Sequence, residues 1–406
     1  MELVKEYPIS KRFPELPLLS AANAKKHPDL IPFAFGHPAK ESFDISLLSD
    51  SAVSALQLDG PRALQYSGGA GPDHVVNWIQ QRSKHVSIIV ETQNILVTAG
   101  SMQAIDLATR TLTDPGDHVW VEAPTFFGAI RQFSLAEVKI SSIPMDQNGL
   151  MTDELERKLK EAVKDNAPIP KFIYVMPNYH NPTGVCLSIE RRKKLAELAY
   201  EYNFYILEDD AYVELSFSGE KLPSIYSFGP KRVIYLSTFS KTIAPGIRMG
   251  WALADDEVII QRMKMLKSDG STSVFVQEII SHFLADVKFE YHMKRINDLY
   301  CARKDAMINA VKECFGEEVA FTEPEGGFFL WLSFPKEVNT SEFASAALSR
   351  GVSFIESKFF YVDRAETNHI RLSFTFTNEE DIQKGVKRIA ESYYQCKKSI
   401  EVLNGV

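Results

Sequence analysis

Lys241 stands in the run S-T-F-S-K-T-I-A-P-G-I-R-M-G, residues 237–250, among small hydroxyl residues and seven positions before Arg248. A neutral lysine amine can form a Schiff base with an aldehyde. Thr238, Ser240 and Arg248 are the residue types that hold a phosphate. An aldehyde and a phosphate on one small molecule describe pyridoxal phosphate. On that reading the run is a cofactor anchor in an enzyme that acts on amino acids, whereas a single lysine among hydroxyls is otherwise a solvated surface residue. The apolar stretches on either side of it imply partial burial, which depresses a lysine's pKa and frees the nucleophilic amine.

Three other segments carry chemistry. T-A-G-S-M-Q, residues 98–103, puts a glycine and a serine between a strand and a helix. Backbone N–H groups there face a positive helix terminus, which suits an anion, although an ordinary Ser101 N-cap has the same look. P-N-Y-H-N-P-T-G, residues 177–184, is strong turn chemistry, and its Asn181 amide could donate to a ring oxygen. E-D-D-A-Y, residues 208–212, ends an apolar strand. A carboxylate there could pair with a protonated pyridine nitrogen, and Tyr212 could donate to a phenolate oxygen. Paired acids also suit a metal, but no neighbouring histidine or third acid supports one.

The elements that must position these groups alternate. Apolar runs at 94–98, 118–122, 171–176, 204–210, 233–239 and 249–254 read as strands. Helical patterns at 101–112, 152–163 and 189–202 lie between them, with Ser101 read as an N-cap and Thr152 as the start of a capping box. In the second helix Leu155, Leu159 and Val163 form the expected buried face. Such alternation predicts an α/β unit with a largely parallel sheet, and ligands in such sheets bind beyond the carboxyl ends of strands. After about residue 290 a long polar helix leads into the strand-like runs 321–332, 351–355 and 369–374 and a final helix from Asn378, a smaller α+β unit. The first 45 residues, punctuated by Pro8, Pro14, Pro17, Pro28, Pro32 and Pro38, read as an extended arm.

The 406 residues are enough for two domains, with 45% hydrophobic and 24% charged residues. A net charge of −8 with scattered positive residues argues against a nucleic-acid surface. The four cysteines form no C-x-x-C pair, so neither a zinc site nor a disulfide framework is expected. No apolar run approaches the ~18 residues of a membrane span, and the N-terminus lacks a signal-peptide core. Cytoplasmic residence, with no membrane partner, is the expectation.

Taken together, these segments resemble the fold-type-I pyridoxal-phosphate aminotransferases of class I/II, the group with aromatic, kynurenine and 2-aminoadipate aminotransferases. The motifs are A-L-Q-Y-S (63–67), T-A-G-S-M-Q, N-P-T-G (181–184), E-D-D-A-Y, S-K-T-I-A-P-G-I-R-M-G and H-I-R-L-S-F (369–374), in the family's order over nearly the whole chain. The resemblance implies an aspartate-aminotransferase-like fold. Residues 1–45 form an arm joining the small domain, 46–290 a large domain with a mostly parallel seven-stranded sheet, and 291–406 the small domain.

It also implies roles. Lys241 matches the Schiff-base lysine, and Asp209 the partner of the pyridine nitrogen, with Asp210 as the alternative. Tyr212 and Asn181 match the donors to the phenolate oxygen. Phe126 matches the aromatic stacked on the ring, with Phe127 as the alternative. Ser101, Met102, Thr238, Ser240 and Arg248 match the phosphate cup. Relatives often carry glutamine where this chain has Met102, so a side-chain contact is exchanged for a backbone one. Tyr66 matches a tyrosine that reaches the neighbouring subunit's phosphate, which implies a homodimer. Arg371 matches the clamp on the substrate α-carboxylate, and Gly36 lies in the loop covering the substrate, where His37 reads as a loop residue.

The implied activity moves an amino group from an aromatic, 2-aminoadipate-like or branched L-amino acid to an oxo acid, with 2-oxoglutarate as the expected acceptor. A β-eliminating C–S lyase of the same fold is the alternative. An effector domain of a transcription regulator is the third reading.

Overall fold

A computed structural model describes residues 29–66, 71–267, 272–363 and 366–404. Most of the expected arm, and Ser67 of the tyrosine segment, lie outside the described residues. The strands, in chain order, are β1 (Ile31–Pro32), β2 (Ile95–Thr98), β3 (His118–Ala123), β4 (Lys139–Asp146), β5 (Gly149–Leu150), β6 (Phe172–Val175), β7 (Tyr205–Asp209), β8 (Val233–Thr238), β9 (Gly250–Ala254), β10 (Phe329–Ser333), β11 (Val352–Ser353), β12 (Ile355–Glu356) and β13 (His369–Ser373).

Among the described residues the largest sheet has eight strands in the order β2-β9-β8-β7-β6-β3-β4-β5. Its centre is parallel, from β8 through β7, β6 and β3 to β4. β9 runs antiparallel to both β2 and β8. The two-residue β5 folds back on β4 and adds an eighth strand to the seven the resemblance implied. β2, β6 and β8 are buried along their whole length, as continuous apolar strands covered on both faces must be. β4 reads K-I-S-S-I-P-M-D, is exposed at Lys139, Ser141 and Pro144 and buried only at Ile143, so an apolar-run reading passes over it.

Two helix starts differ from expectation. Ser101 is the first residue of the helix Ser101–Leu112, and Gly100 is its cap, with φ +82 and no side-chain cap bond. Thr152 is likewise inside its helix, after Met151, and caps nothing. On that helix Leu155 and Leu159 are buried but Val163 is exposed. The helix Ile189–Glu201 starts on Ser188, whose hydroxyl accepts the Arg191 N–H at 3.4 Å.

β10, β13 and β12 form a second, antiparallel sheet with β13 at its centre. The long helix Phe289–Phe315 packs against Glu379–Asn404 beside it. β1 pairs in parallel with β11. The chain then runs along this second sheet, where the Ser373 N–H donates to the Phe33 carbonyl at 2.9 Å and the Thr375 hydroxyl to the His37 carbonyl at 2.8 Å. That run draws residues 33–37 over the carboxyl ends of the main-sheet strands. No helix among the described residues is long and apolar enough to cross a membrane.

Candidate active site

A cleft of about 230 Å³ opens where these elements converge. Ser101 and Met102 reach it from the turn after β2, Phe126 and Phe127 from after β3, and Asn181 from after β6. Asp209 ends β7, Thr238 ends β8, and Ser240 and Lys241 follow it. Gly36 and Arg371 arrive from the opposite side. Tyr212 and Arg248 complete the set. Of the residues expected to bind or react, Tyr66 alone is absent from the cleft. It sits 94% exposed beyond the helix Ile45–Ala63.

The Lys241 amine donates to the Gly36 carbonyl at 3.1 Å and lies 5.0 Å above the Phe328 ring and 5.6 Å above that of Tyr212. Burial, and then the positive charge of Arg371, pull its pKa down to about 8. A substantial fraction of the amine is then neutral near physiological pH. A Cβ at Gly36 would sit 2.8 Å from the Phe329 ring, so a larger residue there would have to displace that ring.

The two acids of E-D-D-A-Y diverge, because successive side chains of a strand point to opposite faces. Asp209 lines the cleft. Its Oδ2 accepts the Tyr174 hydroxyl at 2.7 Å, while Oδ1 is buried without a partner. Asp210 turns away to Asn178 Nδ2 at 2.8 Å and the Tyr235 hydroxyl at 3.1 Å. Burial raises both carboxyls to about 6. An orphaned carboxylate oxygen in a low-dielectric cleft is a site for a cation such as a protonated ring nitrogen.

Arg371 is 2% exposed, and no ion pair to a carboxylate is formed by it among the described residues. Nη1 donates to Asn181 Oδ1 at 2.7 Å and Nη2 to the Ala34 carbonyl at 2.7 Å, while Nε has no partner. The guanidinium lies 4.1 Å from the Phe329 ring centre, 5.2 Å from Phe360 and 5.9 Å from Phe127. Without a counter-ion, burial pulls its pKa well below the usual arginine range. The missing partner has the character of a carboxylate. Asn181 also hydrogen-bonds the Tyr212 phenol, whose pKa burial raises so that it stays a neutral donor.

At the other end of the cleft, the Thr238 hydroxyl donates to the Met249 carbonyl at 3.0 Å and accepts the Ser240 N–H at 3.1 Å, with Ser240 Oγ 2.9 Å away. The Arg248 guanidinium lies over Gly100, where a Cβ would be 2.6 Å from Nη2. Its closest polar contact is the Ala99 carbonyl at 3.4 Å, and no carboxylate neutralises it among the described residues. A helix N-terminus, two hydroxyls and an uncompensated arginine could hold a phosphate. With the unpaired Asp209 oxygen and the Lys241 amine, the residues present fit pyridoxal phosphate. No group of three metal-ligating side chains occurs among the described residues.

Phe126 and Phe127 take separate places, with ring centres 5.3 Å apart. Phe127 turns to Arg371 and Phe360. His37 stacks on Phe35 and meets Phe376 edge-on. The sequence reading missed Tyr174 and Phe329. Tyr174 is the one polar side chain of β6, which is its only signal in the sequence.

The chain matches the family model Aminotransferase class I and II over residues 28–389. It is 36% identical to an aromatic-amino-acid aminotransferase of Thermococcus litoralis, over 90% of this chain and 88% of that one. Its fold matches a multiple substrate aminotransferase from Thermococcus profundus with TM-score 0.89 and 37% identity, covering 96% and 98% of the two chains. A Pyrococcus horikoshii kynurenine aminotransferase, solved with PMP and with KYN and KYA as substrates and products, matches with TM-score 0.88 and 35% identity over 95% and 97%.

Proposed function

The chain belongs to the class I and II aminotransferases, and we propose that the cleft around Lys241 is where it carries out the pyridoxal-phosphate-dependent amino transfer of that family. Bound there, pyridoxal phosphate supplies an aldehyde to receive the amino group and a ring to spread the charge left when the α-proton departs. Lys241 would anchor that aldehyde. Displaced by the incoming amino group, its amine would take the proton from the substrate α-carbon.

Asp209 would hold the ring nitrogen protonated through Oδ1. Tyr212 and Asn181 would donate to the ring's phenolate oxygen, and Phe126 would cover a ring face. Thr238, Ser240, Arg248 and the N–H groups of Ser101 and Met102 would hold the phosphate. Arg371 would grip the carboxylate that amino acid and oxo acid share, with Gly36 on the strap above. The observation that carries this reading is one cleft holding a lysine amine with a pKa near 8, a carboxylate oxygen without a partner and a buried arginine without a counter-ion.

The donor is an aromatic, 2-aminoadipate-like or branched L-amino acid and the acceptor 2-oxoglutarate. Ala34, Phe35, Phe127, Phe329 and Ile355 in the lining favour an aromatic donor. The working form is a cytoplasmic homodimer. Support comes from the exposure of Leu58, Leu64 and Tyr66 along one segment, and from four cysteines none of which is paired. The division into an arm (1–45), a large domain (46–290) and a small domain (291–406) belongs to the same reading.

The experiment is a panel of L-amino acids with 2-oxoglutarate, read by glutamate release. Glutamate from aromatic donors is the expected result. Pyruvate and ammonia from cystathionine, without glutamate, would point to elimination instead.

A further inference from the structure

Two acids stand side by side at the end of β7, and the protein treats them differently. Both oxygens of Asp210 are satisfied, by Asn178 and Tyr235. Asp209 has one oxygen satisfied, by the Tyr174 hydroxyl, and one left over. Tyr174 is fully buried on the neighbouring strand β6. In the parallel register it lies opposite Leu207, two residues before Asp209. Two residues of strand span roughly 6–7 Å, a gap that a tyrosine side chain bridges and a shorter one does not. The ring is held edge-on by Phe133, 5.5 Å away, so the hydroxyl is aimed by packing as well as by its bond.

On the reading of the cleft given above, we propose that Tyr174 is a positioning residue for the cofactor's ring nitrogen. By occupying Oδ2 it leaves Oδ1 as the single oxygen free to pair with that nitrogen. By donating to the carboxylate it keeps the shared proton on the nitrogen and off the acid.

The surrounding charges set how much this matters. Burial and the charge of Asp210 push the Asp209 carboxyl up, toward the protonated form that cannot support a ring cation. The Tyr174 hydroxyl, the Ala211 N–H and the positive charge of Lys241 oppose that push, and Tyr174 is the largest of the three. Tyr174 itself stays neutral, because burial and Asp209, with smaller effects from Glu122 and Tyr212, raise its pKa well above the usual range. It is therefore a fixed donor across the pH range in which the acid and the lysine titrate.

The test uses the holoenzyme loaded with pyridoxal phosphate carrying ¹⁵N in the ring, read by ¹⁵N NMR between about pH 6 and 9. Wild type, Tyr174→Phe, Asp209→Asn and the double variant are compared. Tyr174→Phe keeps the ring against Phe133. Tyr235→Phe, which removes the matching bond to Asp210, controls for simply loosening a buried carboxylate.

The wild-type signal is expected at the protonated-pyridine position. In Tyr174→Phe the pH at which the signal leaves that position falls by about one unit or more, a tenfold change in the proton equilibrium. Tyr235→Phe leaves it in place, and Tyr174→Phe adds nothing on the Asp209→Asn background. Coinciding midpoints for wild type and Tyr174→Phe overturn the inference alone. A wild type that takes up no cofactor on Lys241, judged by the mass of the borohydride-reduced protein, overturns the reading of the cleft and the inference with it.

Discussion

Arg371 and Asn181 meet side chain to side chain, Nη1 donating to Oδ1 at 2.7 Å across 190 residues of sequence. The same asparagine hydrogen-bonds Tyr212. One amide therefore joins the group that would hold the substrate carboxylate to the group that would hold the ring oxygen.

Arg371→Lys tests the carboxylate half of that link. A lysine keeps a charge but loses the planar fork and its stacking against Phe329. The expected outcome is a KM raised by roughly 10²-fold for amino acid and oxo acid alike, with the cofactor's visible absorbance unchanged. Asn181→Ala should differ, lowering kcat as well by about tenfold and shifting the absorbance maximum. Steady-state kinetics with spectra of both variants check this.

The pKa of Lys241 predicts how the cofactor-free protein reacts. Below about 8 the amine is protonated and cannot attack an aldehyde. The rate at which the visible band appears on mixing with pyridoxal phosphate should rise about tenfold per pH unit up to that point and then level off. Arg371 contributes to the depression through its charge. In Arg371→Met the midpoint should therefore move upward, which stopped-flow absorbance across pH would detect.

Asp209 makes a prediction about stability. Its folded pKa is raised, from 3.8 to about 6, because burial penalises the charge. Between those values the unfolded chain has released a proton that the folded chain still holds, so this group's contribution falls as pH rises through the window. Asparagine has no such cost. The cofactor-free Asp209→Asn protein should gain stability relative to wild type from pH 4 to 6, by at most about 3 kcal/mol, and hold that gain above pH 6. Urea unfolding of both proteins at several pH values measures the difference, while cofactor affinity should drop in the variant.

The sequence made the strand ends and their short polar segments readable, since Lys241, Asp209, Asn181 and Ser101 each sit in or just after an apolar run that ends in a turn. It could not say which acid of the pair faces the cleft from spacing alone. That follows from strand alternation at a known end point, Asp209 being the last residue of β7. Ser101 reads as a cap in the sequence, but Gly100, with its positive φ, takes that place. Arg192 sits in the charged run R-R-K-K of the helix Ile189–Glu201. It is nonetheless fully buried and donates to the carbonyls of Pro177, Leu187 and Pro223 and to Asn178. The aromatic box of Phe127, Phe329 and Phe360 around Arg371 is assembled from three distant segments, so the sequence order does not show that they meet. Tyr66 is exposed in the single chain and stands outside the cleft.

On the proposed function, Lys241 anchors the cofactor. The direct measurement is borohydride reduction of the loaded enzyme, followed by proteolysis and peptide mass mapping. The predicted result is one equivalent of reduced cofactor on the peptide carrying Lys241, and none in Lys241→Ala, which also loses turnover. Cofactor fixed to a different lysine, or Lys241→Ala that still transfers amino groups, would contradict it.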